Sequence, residues 1–210
     1  MIKYVLFDFD GTLVDSKKIV FDVVNQLAEK HKFKKVEEKD IDYLRKLPVL
    51  DRCKYLGIPI YKLPFWAKEF YNLYKKSAKT LNLFDGIKEL LDELNSQGYG
   101  LAIISSNTED IIREVLIGND IDYVNKIYCS KDIFGKAKII KKFLTDSNLN
   151  STQVIYIGDE LRDIVACKKS NVKIIWVEWG YDEIDTLKDN CPDYTVVTPT
   201  EIIPVLEKIK

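Results

Sequence analysis

The chain has 210 residues, of which 46% are hydrophobic and 31% are charged, a balance typical of a globular protein with a sizeable core. Its formal net charge of −1 gives no overall field that would recruit nucleic acid or an anionic membrane. No apolar stretch approaches about 20 residues, so we expect no membrane-spanning helix. Asp8 and Asp10 interrupt the apolar run at the N-terminus, which differs from a signal peptide and predicts a cytoplasmic protein.

Five short apolar runs, each bounded by turn-forming residues, predict the strands of the fold. They do not alternate with polar residues, which is typical of strands buried on both faces of a parallel sheet. The predicted strands are Tyr4–Phe7, Leu101–Ile104, Val154–Ile157, Ile174–Val177 and Tyr194–Val197.

Amphipathic helical patterns lie between these runs, with Asp85 and Thr108 as candidate N-caps. The alternation of strands and helices predicts a doubly wound α/β domain with a Rossmann-like parallel sheet. In such sheets, ligands bind beyond the carboxyl ends of the strands. The predicted helices are Gly86–Ser96, Thr108–Leu116, Lys136–Leu144 and Glu160–Lys169.

Residues 16–83, called the helical segment below, break this alternation. The segment has no convincing strand pattern and carries aromatic residues at helical spacing, including Trp66, Phe70 and Tyr74. We interpret it as a small helical cap domain inserted after the first strand, and these three aromatic residues as its core. The α/β catalytic core would then comprise residues 1–15 and 84–210.

Four cysteines lie far apart and form no CxxC pair: Cys53, Cys129, Cys167 and Cys191. Together with a single histidine, His31, they cannot supply a structural zinc site. We expect these cysteines to be reduced thiols. Separately, we expect the protein to be a monomer or a homodimer.

The first predicted strand ends in two carboxylates, Asp8 and Asp10, followed by Gly11 and Thr12. Gly11 allows a sharp backbone turn, and the Thr12 hydroxyl can hold the loop by a hydrogen bond. Two carboxylates this close repel each other unless a cation or a shared proton lies between them.

A second acidic pair, Asp159 and Asp163, follows the strand Val154–Ile157. Neighbouring strand ends would bring the two pairs together, and a site of oxygen ligands suits Mg²⁺. Taken singly, either pair is also consistent with ordinary helix N-caps.

Four stretches in order resemble the motifs of the haloacid dehalogenase-like superfamily: DFDGTLVDS, LAIISSN, FGKAK and IGDELRD. The resemblance covers essentially the whole chain, including the cap after the first motif. The run VEWGY is similar to the VxWG of phosphoglycolate phosphatase-like members. The resemblance therefore implies a Mg²⁺-dependent phosphatase that acts on a small phosphorylated metabolite, with phosphoglycolate as the type of substrate.

The resemblance also implies roles for individual residues. Asp8 would be the nucleophile, and Asp10 the acid and base that serves the leaving oxygen and then water. Mg²⁺ would bind Asp8, the Asp10 carbonyl and Asp159, with Asp163 holding Lys136 or a metal-bound water.

Phosphate contacts are implied for Ser105 and Lys136, with Gly11, Thr12, Ser106 and Asn107 as further substrate-binding positions. Ser106 competes with Ser105 for the phosphate-binding side chain, and Lys131 and Lys138 compete with Lys136.

The leaving group would be met by the helical segment, where Arg45, Lys46 and Arg52 are the candidate cations. Arg45 could bind a carboxylate bidentately, although each of the three also fits a solvated surface charge. Two other functions stay open: a phosphoglucomutase-like phosphotransferase, and a non-catalytic binding protein on the same fold.

Overall fold

The computed structural model describes residues 1–77, 80–130, 132, 134–187 and 189–209. Within these ranges the chain forms a six-stranded sheet with the order β3-β2-β1-β4-β5-β6. Every pair of neighbouring strands is parallel. The strands are β1 Tyr4–Phe7, β2 Gly100–Ser105, β3 Lys126–Cys129, β4 Val154–Gly158, β5 Lys173–Val177 and β6 Tyr194–Val196.

Helices cover both faces of this sheet, because alternate side chains of each buried strand point to opposite faces. One face packs on α5 Ile87–Ser96, α6 Glu109–Gly118 and α9 Ile202–Lys208. The other packs on α7 Lys136–Asp146 and α8 Leu161–Ser170. This arrangement confirms the predicted doubly wound α/β fold.

The strand β3 is absent from the sequence predictions. Its four residues, KIYC, are all partly exposed, and it lies at the edge of the sheet beside β2. An edge strand needs no long apolar run, so it leaves a weak sequence signal. The cap prediction for α5 is also wrong at Asp85: the N-cap residue is Gly86, with φ of 82°. Thr108 is the N-cap residue of α6, as predicted.

The helical segment lies between β1 and β2 and contains α1 Lys17–His31, α2 Ile41–Arg45, α3 Val49–Leu56 and α4 Leu63–Ser77. It has a small apolar cluster of its own, built on Val36, Leu44 and Leu56. The two chain crossings pair with each other through Val14 and Leu83. The segment therefore leaves and re-enters the α/β core at one place, next to the carboxyl end of β1.

No helix among the described residues is long and apolar enough to cross a membrane. All four cysteines are free thiols.

Candidate active site

The carboxyl ends of β1, β2 and β4 meet at one edge of the sheet, since β1 lies between the other two strands. Asp8 directly follows β1 and is 1% exposed; its Oδ1 accepts a hydrogen bond from the Phe9 N–H at 2.7 Å. Gly11 has φ of +81°, and a Cβ there would lie 2.3 Å from Asp159 Oδ2. The predicted sharp turn after Asp10 is thus confirmed, and only glycine fits it.

Lys136 connects the first and last motifs. Its Nζ lies 2.5 Å from Asp8 Oδ2 and 2.5 Å from Asp163 Oδ1, and the residue is 1% exposed. Burial opposes its charge, but the Asp163 and Asp8 carboxylates outweigh burial and raise the pKa of Lys136 above its usual value. The lysine is therefore a fixed positive charge beside the candidate nucleophile. Its rival Lys138 is exposed, and Lys131 lies outside the described residues.

Burial raises the pKa of Asp8 to about 7, against the opposing effect of Lys136. Asp8 Oδ2 is buried and, within the described part of the chain, has no hydrogen-bond partner besides the Lys136 ion pair. A buried carboxylate oxygen in this condition is a candidate ligand for a cation.

Three acidic side chains offer oxygen atoms within 4.8 Å of one another: Asp8, Glu160 and Asp163. Such a set of carboxylates fits a hard divalent cation. Glu160 is not among the predicted site residues; it is the N-cap residue of α8 and forms a capping box with Asp163. A sequence signal for Glu160 was available in the stretch GDE, because Glu160 directly follows Asp159 at the start of this helix.

Asp159 is fully buried beside this cluster. Its Oδ1 accepts a hydrogen bond from the Thr12 hydroxyl at 2.7 Å, and its Oδ2 accepts one from the Tyr181 N–H at 2.7 Å. Burial, with added repulsion from Glu160 and Asp8, raises the pKa of Asp159 well above its usual value. The Thr12 hydroxyl therefore holds the loop by supporting this carboxylate.

Asp10 receives two hydrogen bonds. Asn107 Nδ2 donates to Asp10 Oδ2 at 2.9 Å, and the Tyr74 hydroxyl donates to Asp10 Oδ1. Tyr74 belongs to α4 of the helical segment and is 1% exposed. The helical spacing of Trp66, Phe70 and Tyr74 predicts that Tyr74 lies in the core of the helical segment. Its hydroxyl also reaches Asp10 in the candidate active site.

The two serines after β2 have different surroundings. Ser105 is buried, and its Oγ accepts the Asn107 N–H at 3.0 Å. Ser106 Oγ accepts a hydrogen bond from Arg162 Nη1 at 3.3 Å, and Arg162 is also paired with Glu160. Ser106 and Asn107 line a cavity, whereas the Ser105 hydroxyl holds the backbone of Asn107.

A cavity of about 280 Å³ lies between the helical segment and the strand ends. At its core end it is lined by Asp10, Ser106, Asn107 and Arg162, among others. The helical segment contributes mostly apolar and aromatic side chains. They include Phe21, Val24, Phe33, Trp66, Ala67 and Phe70.

The candidate cations of the helical segment face acidic residues of the core. Arg45 Nη1 lies 3.3 Å from Glu183 Oε1, and its Nη2 donates to the Gly180 carbonyl at 3.3 Å. Arg52 forms an ion pair with the buried Asp182. Both arginines line the cavity.

Lys46 Nζ is 3.9 Å from Glu183 Oε2, the same acid that Arg45 contacts. Burial and the Glu160 carboxylate raise the pKa of Asp182 to about 7, against the effect of Arg52. These acids, absent from the sequence predictions, hold the helical segment against the core.

The sequence matches the family of haloacid dehalogenase-like hydrolases over residues 5–177. It is 25% identical over 206 residues to a phosphoglycolate phosphatase from Synechococcus elongatus, covering 98% of this chain and 97% of that protein. A solved structure described as a predicted phosphatase from Clostridium acetobutylicum superposes with a TM-score of 0.83 at 25% identity, covering 99% of each chain. A candidate beta-phosphoglucomutase from Thermotoga maritima superposes with a TM-score of 0.69 at 21% identity, covering 100% of each chain, a likeness of fold alone.

The chain belongs to the haloacid dehalogenase-like hydrolase family. This confirms the resemblance drawn from the four motifs, the fold class and the prediction that the chain is an enzyme of the hydrolase class.

Proposed function

We propose that the chain is a Mg²⁺-dependent phosphatase that hydrolyses a small phosphomonoester through an aspartyl-phosphate on Asp8. The observation that carries this proposal is the environment of Asp8: it is buried at the end of the central strand, 2.5 Å from the Lys136 ammonium. Its Oδ2 has no partner among the described residues besides this ion pair. A buried carboxylate whose second oxygen meets only an ammonium group supports a role in attack and in metal binding.

The chemistry proceeds in two displacements. A carboxylate oxygen of Asp8 forms a bond to phosphorus while the bond from phosphorus to the leaving oxygen breaks, and Asp10 donates a proton to that oxygen. In the second step Asp10 takes a proton from water, which attacks phosphorus and releases phosphate and the Asp8 carboxylate. The hydrogen bonds from Asn107 and Tyr74 hold Asp10 in place for both proton transfers.

Asp8, the Asp10 backbone carbonyl and Asp159 are the proposed metal ligands, with Asp163 and Glu160 beside them. Each oxygen of Asp159 already accepts one hydrogen bond, and a carboxylate retains further lone pairs for a cation. Asp163 supports the site mainly by holding Lys136. When bound, Mg²⁺ supplies positive charge that offsets the repulsion between the nucleophile and the phosphate.

Phosphate recognition is proposed for Lys136, Ser105, Ser106 and Asn107 at the strand ends, beside the turn of Gly11 and Thr12. The helical segment is proposed to act as a cap domain over residues 16–83. Arg45, which lines the cavity, is its proposed contact for the leaving group. The free cysteines are in keeping with a cytoplasmic enzyme.

The test is release of phosphate from p-nitrophenyl phosphate with and without Mg²⁺, with Asp8→Asn as the inactive control. Phosphoglycolate is the reference substrate, because it is named in the relative from Synechococcus elongatus. Turnover that needs neither Mg²⁺ nor Asp8 would contradict the proposal. Transfer of phosphate to a sugar phosphate in preference to water would favour the phosphotransferase instead, and Mg²⁺-dependent binding without turnover would favour a binding protein.

A further inference from the structure

The cavity between the helical segment and the strand ends has two chemically different parts. Its core end carries the polar groups of the active site, including Asp10, Ser106 and Asn107. Its opposite wall is hydrocarbon and aromatic ring, with Phe21 of α1 and Trp66 of α4 among its members. A phosphate bound at the strand ends would therefore direct its leaving group toward an apolar chamber.

The cations on this wall are already engaged. Among the described lining residues, the helical segment contributes Arg45 and Arg52, and these face Glu183 and Asp182. The side chain of Arg52 is 18% exposed and also donates from Nε to the Leu44 carbonyl at 2.8 Å. An anionic leaving group would have to compete with these carboxylates, whereas an apolar group meets no such competition.

The volume also exceeds what a glycolate group would fill. Apolar cavities of about 150 Å³ bind benzene-sized molecules. At about 280 Å³ including its polar core end, this cavity accommodates a ring or a branched hydrocarbon group beside the phosphate. Several wall residues, including Val24, Phe33 and Phe70, are only partly buried, so they retain surface that such a group would cover.

We propose that the substrate carries an apolar leaving group, aromatic or branched aliphatic, that binds in this cavity. The inference rests on the proposed phosphatase function and refines its substrate class. The phosphate is held by the strand ends, and burial of hydrocarbon against α1 and α4 supplies the discrimination between substrates.

The experiment compares kcat/KM for ethyl, butyl, hexyl and benzyl phosphate, with phosphoglycolate alongside. Ethanol and benzyl alcohol are leaving groups of similar acidity, so differences between their esters report binding in the cavity rather than the chemical step. We expect kcat/KM to rise roughly fourfold for each buried methylene, and benzyl phosphate to exceed both ethyl phosphate and phosphoglycolate at least tenfold. Benzylphosphonate, which is not hydrolysed, should bind at least tenfold more tightly than methylphosphonate.

Two variants localise the effect. Val24→Phe fills the cavity from α1, and we expect it to reduce the ratio of kcat/KM for benzyl over ethyl phosphate at least tenfold. Val197→Phe is the matched control, because Val197 is 58% exposed on the core and outside the cavity lining. Ala67→Leu, which fills the cavity from α4 instead of α1, replaces Val24→Phe if circular dichroism shows that Val24→Phe unfolds the protein.

The outcomes separate the two proposals. If all the esters are hydrolysed with equal kcat/KM, or phosphoglycolate exceeds benzyl phosphate, the apolar leaving group is wrong while the phosphatase proposal stands. If no ester is hydrolysed and no phosphoenzyme forms with Mg²⁺, both proposals are wrong.

Discussion

Lys136 is the side chain whose removal tests the electrostatic arrangement of the site most sharply. The change we consider is Lys136→Met, which keeps an unbranched side chain of similar length and removes the charge. In the parent protein the ammonium lies 2.5 Å from both Asp8 and Asp163. Without it, two buried carboxylates face each other with no cation between them.

The expected magnitude follows from that burial. Removing one partner of a buried ion pair typically costs about 3–5 kcal/mol of stability. Lys136 also lowers the pKa of Asp8, which burial has raised to about 7. Its loss therefore raises the Asp8 pKa further, so that less of the nucleophile is ionised at neutral pH. We expect kcat to fall by about 10²–10³, the usual effect of removing a preorganised donor, and the acidic limb of the pH–rate profile to move to higher pH.

The assay combines urea unfolding with p-nitrophenyl phosphate kinetics between pH 5 and 9. Lys138→Met is the matched control, since Lys138 lies on the same helix and is exposed; it should resemble the parent protein in both measurements. Adding Asp163→Asn to Lys136→Met removes one of the two repelling carboxylates and should recover part of the stability but little activity. If Lys136→Met keeps activity within threefold of Lys138→Met, with equal stability, the reasoning is refuted.

Three further predictions concern the metal, the proton donor and pH. Asp159→Ala should raise the Mg²⁺ concentration for half-maximal activation more than Asp163→Ala, and metal titrations with the reverse order would contradict the assignment of ligands. Tyr74→Phe should lower kcat roughly 10- to 100-fold for alkyl phosphates, the value of a hydrogen bond to a charged group, and less for p-nitrophenyl phosphate, which needs little protonation. Tyr123→Phe, which loses a hydroxyl at the exposed Asp92, is the control, and equal losses for both substrate types would argue against a role in proton transfer. The pKa of Asp8 is higher in the folded than in the unfolded protein, so the metal-free protein should lose stability as pH rises from about 4 to 7. The loss should be about 1.4 kcal/mol for each pH unit that separates the Asp8 pKa values of the unfolded and folded protein. Thermal melts that show stability rising over this range would contradict this prediction.

The sheet was predictable where burial leaves a composition signal. Four strands, β1, β2, β4 and β5, are mostly or wholly buried. Their sequences are therefore continuous apolar runs that are bounded by turn-forming residues. The strand Lys126–Cys129 gave no such signal, since its residues are partly exposed at the sheet edge. The prediction of Asp85 as the N-cap residue was wrong because the N-cap position of this helix has a left-handed backbone conformation, which Gly86 adopts.

The resemblance of the four motifs pointed to Asp8, Lys136 and Asp163, and these residues lie together although they are far apart in sequence. Asp8 and Gly11 lie within one turn, and that turn forms as predicted. Tyr74 and Asp182 are set by long-range packing, because each depends on how the helical segment docks on the core. Glu160 was not predicted because a glutamate at a helix start is ordinarily explained by its favourable interaction with the helix dipole.

The most direct test of the central claim is to trap the phosphoenzyme. The protein is mixed with Mg²⁺ and p-nitrophenyl phosphate, quenched in acid within the first turnover, digested and analysed by mass spectrometry. We predict one acid-stable, hydroxylamine-sensitive phosphate on the peptide that contains Asp8, absent without Mg²⁺ and absent in Asp8→Asn. Steady phosphate release with no phosphate on that peptide, or with phosphate on any other residue, would contradict the account.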